Sequence, residues 1–96
     1  MRIMALDVGD SRIGVALSDP LEMLASPLVI IKRQNEASDV LSVIKLVNEH
    51  VAGKLIVGLP LSLSGETGMQ AQKVKDFVTK LSGSLSVPIE LAPGLS

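Results

Sequence analysis

Residues 5–19 read Ala-Leu-Asp-Val-Gly-Asp-Ser-Arg-Ile-Gly-Val-Ala-Leu-Ser-Asp, and this stretch decides the fold. Two apolar runs flank a short Gly-Asp-Ser turn, which predicts a hairpin of strands over residues 2–8 and 12–17. One carboxylate, Asp7, falls inside the first run. An ionised acid on a half-buried strand costs free energy unless a cation or hydrogen-bond donors compensate it. We therefore predict a functional role for Asp7.

Beyond the hairpin, apolar periodicity and turn residues predict the remaining elements. They are a strand over 26–32, a helix over 38–51 with Gly53 as its C-cap, a buried strand over 55–60, a helix from the capping pair Thr67 and Gln70 to Gly83, and a strand over 87–91. A three-stranded meander followed by αβαβ predicts an α/β fold with a mixed five-stranded sheet and helices packed against it. Pro88 cannot donate to a ladder, so the last strand is expected at an edge.

Length and composition predict one domain over residues 1–96 with an aliphatic core, because 47% of the residues are hydrophobic and Phe77 is the single aromatic. The first strands are apolar at odd and even positions, which predicts a sheet covered on both faces. The absence of cysteine excludes disulfides, thiolate catalysis and Cys-type zinc sites. No apolar run approaches the roughly 18 residues of a membrane span, and no signal peptide is recognisable, so a cytoplasmic protein is expected.

Charge gives a weaker indication about partners. The net charge of −1 argues against a protein that holds long nucleic acid by bulk charge. A local basic patch stays open beside the alternative of solvated surface cations, its candidates being Arg12, Lys32, Arg33, Lys73, Lys75 and Lys80.

Five short motifs occur in series along the chain. They are Leu6-Asp7-Val8-Gly9, Arg12-Ile13-Gly14-Val15-Ala16, Ser18-Asp19-Pro20, Val57-Gly58-Leu59-Pro60 and Gln70-Ala71-Gln72-Lys73-Val74. In order and spacing the sequence resembles the YqgF-type proteins of bacteria, members of the RNase H-like superfamily, over about residues 2–91. These proteins are described as Holliday-junction resolvases and are implicated in processing the 5′ end of pre-16S ribosomal RNA.

The resemblance implies an RNase H-like fold and a hydrolase that cuts phosphodiester bonds with two Mg²⁺ or Mn²⁺ ions. Asp7 matches the first-strand aspartate of the family, so it is the expected catalytic residue and metal ligand. Arg12 is an expected phosphate contact, with a solvated turn arginine as the equal alternative. Gly58 and Pro60 end the fourth strand at the edge that carries Asp7, where they would let nucleic acid approach the backbone. The expected partners are structured RNA or branched DNA and no membrane; a homo-oligomer is left open.

The other acids are weaker candidates for the same site. Turn chemistry accounts for Asp10. If Val8 pairs with Arg12, Asp19 lies about 17–20 Å from Asp7 along the sheet. Glu66 is a loop acid whose approach to the site stays open, and Glu90 lies two strands away from the first strand.

Two further observations qualify the assignment. After a strand like 87–91, the family continues with an Asp-Glu-Arg segment and a helix that carries another acid, whereas this sequence reads Ala92-Pro93-Gly94-Leu95-Ser96. We therefore expect a C-terminally truncated domain that is inactive by itself. The hairpin also resembles the phosphate-binding hairpin of actin-like ATPases and sugar kinases, in which Asp7 would hold Mg²⁺ and turn amides would bind phosphate. A non-catalytic nucleic-acid-binding module of the same fold is the third alternative.

Overall fold

The computed structural model describes residues 1–18, 25–59 and 68–93. Within these ranges the chain forms seven elements in the predicted order: β1 (Arg2–Val8), β2 (Arg12–Ser18), β3 (Ala25–Lys32), α1 (Glu36–Glu49), β4 (Ala52–Leu59), α2 (Met69–Ser82) and β5 (Ile89–Pro93). The predictions for Asp19, Pro60, Glu66 and Thr67 lie outside the described residues.

The described strands form a single sheet in the order β3-β2-β1-β4-β5. β2 pairs antiparallel with both β1 and β3, whereas β4 pairs parallel with both β1 and β5. The predicted mixed five-stranded sheet is therefore confirmed, and β5 occupies the predicted edge. As a result, the strand that carries Asp7 is the central one and has a neighbour on each side.

Both helices pack against one face of the sheet. Strand alternation turns the even residues of β1 and the odd residues of β2 and β4 toward the helices. The resulting core is aliphatic apart from Phe77, as predicted, and comprises Met4, Leu6, Val8, Ile13, Val15, Val40, Val43, Val47, Ala52, Leu55, Val57, Val74, Phe77 and Leu81. The predicted covering of both faces is wrong for the described ranges, because neither α1 nor α2 lies on the other side. We call that other side the open face.

The start of α1 is fixed by polar side chains. The predicted first residue was Ser38, but the helix begins at Glu36 because Oδ1 of Asn35 accepts a hydrogen bond from the Ser38 amide at 2.9 Å. Glu36 also pairs with Lys80 of α2 and raises the pKa of that lysine above its ordinary value. The ammonium is therefore charged throughout the neutral pH range, and the pair joins the two helices.

The end of α1 differs from the prediction. The helix ends at Glu49, and Val51 takes a left-handed conformation with φ of 51°, a position that the sequence assigned to Gly53. The chain must reverse before Ala52, because that residue already pairs with Arg2 in the sheet. Val51 is therefore 80% exposed instead of part of the apolar helix face. Neither helix in the described ranges is long and apolar enough to cross a membrane.

The β1–β2 hairpin is shifted by one residue from the predicted pairing. Val8 lies opposite Ile13, not Arg12. The turn is closed by a hydrogen bond from the Gly9 amide to the Arg12 carbonyl at 2.9 Å. A Cβ atom on residue 9 would lie 3.0 Å from that carbonyl oxygen, so the close approach favours glycine.

Candidate active site

Asp7 lies near the end of the central strand, and its side chain is exposed. It is on the open face because its neighbours Leu6 and Val8 point into the core. The strand is half-buried, as the sequence predicted, but Asp7 lies on its exposed side and so does not carry the cost of burying a charge. The apolar flanks are buried by the helices on one face, whereas Asp7 occupies the alternate position on the other.

Glycine flanks Asp7 on both neighbouring strands. Gly14 is its partner on β2, and a Cβ atom there would still be 3.8 Å from the Asp7 Cβ. On β4, Gly58 directly follows Val57, the residue that pairs with Leu6. Gly58 therefore lies beside Asp7, as the predicted approach to the site requires. Because neither neighbour has a side chain, the carboxylate stands free above a flat backbone surface.

Asp7 is also distinguished by its lack of partners. Six of the seven acidic residues that the structure describes form an ion pair or a hydrogen bond, and Asp7 forms neither with another described residue. An exposed acid that stays unpaired on a central strand is available to an external ligand.

Arg12 and Lys32 lie on the open face, two residues along the strands from the position opposite Asp7. They are direct partners across β2 and β3, and Arg12 follows the hairpin turn two residues from Gly14. Two residues along a strand span about 6.6–6.8 Å. Both side chains are exposed and form no ion pair within the described ranges. Arg12 lines a shallow cavity of about 330 Å³ together with Asp7, Gly9, Gly14 and Ile30.

The rest of the predicted basic patch does not form. Arg33, Lys73 and Lys80 point into the helix layer or its rim, where they pair with Asp39, Asp10 and Glu36, respectively. The Asp10 carboxylate is 3.5 Å from the Lys73 ammonium of α2, so it faces the helices and not Asp7. Lys75 lies on α2, on the side of the sheet opposite Asp7. The cations available beside Asp7 in the described ranges are therefore Arg12 and Lys32.

Glu90 is remote from Asp7, as predicted. It lies opposite Ile56 on the edge strand β5 and pairs with Lys54 at 3.3 Å. Two strand spacings, about 9.5 Å, separate β5 from β1. Glu90 is therefore not a direct partner of Asp7 in any metal site.

The sequence interpretation missed the buried pair of Arg33 and Asp39 beneath the hairpin turn. Their Nε and Oδ2 atoms are 2.7 Å apart, and the Asp39 side chain is 2% exposed. Asp39 lies in the first turn of α1, where an acid is ordinarily explained by the helix dipole alone. The available signal was an Asp at an otherwise apolar, inward position of the helix next to Val40.

The donor set near Asp7 fits part of a divalent-metal site. An exposed, unpaired carboxylate is the hard oxygen ligand that Mg²⁺ and Mn²⁺ require, and the bare surface around it leaves room for metal-bound water. No group of three or more acidic or histidine side chains converges in the described ranges. Asp7 therefore fits one protein ligand, with the remaining positions left to water or to groups outside those ranges.

Comparison with known protein families assigns the chain to one of them. The RuvX family, described as Holliday junction resolvase, matches residues 1–93. The chain belongs to this family, which confirms the resemblance that its motifs indicated.

Two relatives carry the name "Putative pre-16S rRNA nuclease". One, from Natranaerobius thermophilus, is 42% identical over 90 residues, covering 94% of this chain and 64% of the relative. The other, from Dehalococcoides mccartyi, is 52% identical over 82 residues, covering 85% of this chain and 62% of the relative. This chain thus spans less than two thirds of the length of either relative.

Solved structures show the same fold. RuvC of Thermus thermophilus in complex with Holliday junction substrate matches with a TM-score of 0.68 at 14% identity, covering 99% of this chain and 66% of that one. The predicted RNase H-like fold is thereby confirmed. A Bacteroides thetaiotaomicron protein with an actin-like ATPase fold matches with a TM-score of 0.57 at 10% identity, covering 95% of this chain and 32% of that one. The fold therefore does not separate the nuclease and ATPase alternatives, whereas the sequence family favours the nuclease.

Proposed function

We propose that the protein is a metal-dependent nuclease that hydrolyses phosphodiester bonds, acting on the 5′ end of pre-16S rRNA or on branched DNA in the cytoplasm. The observation that carries the proposal is the exposed, unpaired Asp7 between two glycines of neighbouring strands. The family membership and the names of the relatives support the same reaction class.

Each residue of the site has a role in this proposal. Asp7 would hold a divalent ion, which would supply stabilisation of the negative charge that develops in phosphodiester hydrolysis. Arg12 and Lys32 hold backbone phosphate one step along the strand from Asp7. Gly14 and Gly58 place no side chain beside Asp7, so that a sugar-phosphate backbone can reach the carboxylate. Pro60, which the sequence assigns to the same approach, lies outside the described residues.

A Mn²⁺ titration tests the assignment of Asp7. We expect weak binding, because one carboxylate leaves most of the coordination shell to water. In a ¹⁵N-labelled sample, Mn²⁺ should broaden the amide signals of residues 7, 14 and 58 first, and Asp7→Asn should abolish this broadening. Asp10→Asn is the matched control, because it removes a nearby acid that is already paired with Lys73. Equal broadening in wild type and Asp7→Asn would contradict the proposal.

The phosphate contacts have a separate test that requires no cleavage. In EDTA, Arg12→Gln and Lys32→Gln together should weaken binding to a four-way DNA junction and to an RNA hairpin. The slope of log affinity against log salt should become shallower by about two, one for each lost phosphate contact. Lys75→Gln removes one positive charge, as each of the two substitutions does, but on the opposite side of the sheet, and it should leave the slope unchanged. A slope that is the same in the double variant and wild type would exclude these two residues from the interface.

A non-catalytic nucleic-acid-binding module of the same fold is the second candidate. It is favoured by the lack, among the described residues, of any group of three or more possible metal ligands, and by Asp7 being the one acid among those that line the cavity. The two candidates share the salt-dependent binding and differ in metal-dependent cleavage by a longer version of the chain.

A further inference from the structure

The Arg33 side chain lies where the hairpin turn, the end of β3 and both helices meet. Its Nε donates to Oδ2 of Asp39 at 2.7 Å, and its Nη1 donates to the Gly9 carbonyl at 2.8 Å. The guanidinium carbon is 5.3 Å from the centroid of the Phe77 ring, within the range of a cation–π contact. One side chain thus connects α1, α2 and the turn that follows Asp7.

Asp39 holds the guanidinium in a fixed direction. Its Oδ1 accepts a hydrogen bond from the Gln34 amide at 3.2 Å, and its own amide donates to the Asn35 carbonyl at 2.9 Å. The carboxylate is therefore tied at both oxygens and through its backbone. Nε is bonded to this carboxylate, and the Phe77 ring lies against the guanidinium. Because the guanidinium is planar and rigid, these two contacts direct Nη1 toward the turn.

Arg33 donates hydrogen bonds to both ends of the hairpin turn. The Gly9 carbonyl accepts from the Arg33 side chain, and the Ser11 carbonyl accepts from the Arg33 amide at 2.9 Å. The Gly9 amide is occupied by the Arg12 carbonyl. Three backbone groups of the turn therefore have fixed hydrogen-bond partners: the amide and carbonyl of Gly9 and the carbonyl of Ser11. The turn lies between Asp7 on β1 and Arg12, the first residue of β2.

We propose that Arg33 is a positioning residue for the candidate active site: it fixes the turn over residues 9–12 and so sets the placement of Asp7 relative to Arg12. The inference rests on the proposed function for its consequence at the metal, but the fixing of the turn is independent of it. An ion pair with Asp39 alone would require only a cation, whereas the additional bond to Gly9 requires a fork of donors. Lysine cannot supply that fork, because its ammonium is a single point of donation.

The test compares Arg33→Lys with Val47→Ala. Arg33→Lys keeps the charge beside Asp39 and loses the bond to Gly9. Val47→Ala reduces core packing at the far end of α1 and leaves the contacts of the turn in place. In each variant, hydrogen exchange of the Gly9 amide is measured relative to the Leu6 amide of β1. Dividing by the Leu6 rate removes changes that come from global unfolding.

We expect this ratio to rise by about tenfold or more in Arg33→Lys and not to rise in Val47→Ala, where faster global opening affects Leu6 at least as much as Gly9. The Mn²⁺ concentration that half-broadens the Asp7 amide should rise several-fold in Arg33→Lys alone. An unchanged exchange ratio in Arg33→Lys would overturn the inference. A raised ratio with an unchanged Mn²⁺ midpoint would overturn the link from the turn to Asp7. If Asp7→Asn instead keeps the wild-type Mn²⁺ response, the proposed function fails, and the exchange ratio still decides the role of Arg33 in the turn.

Discussion

Asp39→Ala is expected to lower the free energy of unfolding by about 3 kcal/mol or more, because it leaves the inward-facing Arg33 cation without its partner. The Asp39 side chain is 2% exposed and that of Arg33 is 23% exposed, so the substitution leaves a largely buried guanidinium without its carboxylate. The Gln34 amide loses its acceptor in the same substitution. A domain of this size has a total stability of about 5–15 kcal/mol, so the variant should be close to unfolding at physiological temperature.

Urea denaturation followed by circular dichroism measures this change. Asp76→Ala is the control: Asp76 is an exposed acid on α2 with one hydrogen bond to Gln72, and its loss should change stability by about 0.5 kcal/mol or less. Asp39→Asn keeps an acceptor of similar shape and should fall between the two. A loss below about 1 kcal/mol in Asp39→Ala would mean that the Arg33 guanidinium finds water or another acceptor.

The element order was predictable from the sequence because local patterns specify it. Helical spacing of Val40, Ile44 and Val47, together with the unalternating run in β4, predicted elements and their order without knowledge of contacts. The inward face was predicted less well, because Leu41 was placed on it in place of Val43, and Leu41 is exposed. The end of α1 was not predictable in the same way. The pairing of Ala52 with Arg2 joins residues far apart in the chain, and it overrides the local preference of Gly53 for a helix end.

Part of the candidate site was also predictable from local patterns in the sequence. Asp7 could be recognised because an acid is conspicuous in an apolar run, and Gly58 because a glycine ends a buried strand. The exposure of Asp7 could not be inferred, since it depends on both helices packing on one face of the sheet. The pair of Arg33 and Asp39 was missed because each residue has an ordinary local explanation, and only the folded chain brings the pair beneath the turn.

The 96-residue chain by itself is expected to cleave neither RNA nor branched DNA at a rate above background. Two-metal hydrolysis requires several carboxylates that converge on the ions. The described residues form no group of three or more possible metal ligands, and Asp7 is the one acid among the described residues that line the cavity beside Arg12. Removing part of such a constellation abolishes activity instead of reducing it in proportion, because its members act as a unit. The deficit should therefore be one of many orders of magnitude in rate, not a modest fall.

The decisive experiment is a gain of activity. Extending the chain after β5 with the Asp-Glu-Arg segment and closing helix that the family resemblance implies should supply further acids and restore Mg²⁺-dependent cleavage. The same extension carrying Asp7→Asn should stay inactive, which separates a repaired site from a contaminating nuclease. Clear Mg²⁺-dependent cleavage by the 96-residue chain that is lost in Asp7→Asn would contradict the prediction. That result would direct the search to acids outside the described ranges. Glu66 would be the first to replace, because in the sequence it follows β4, the strand that places Gly58 beside Asp7.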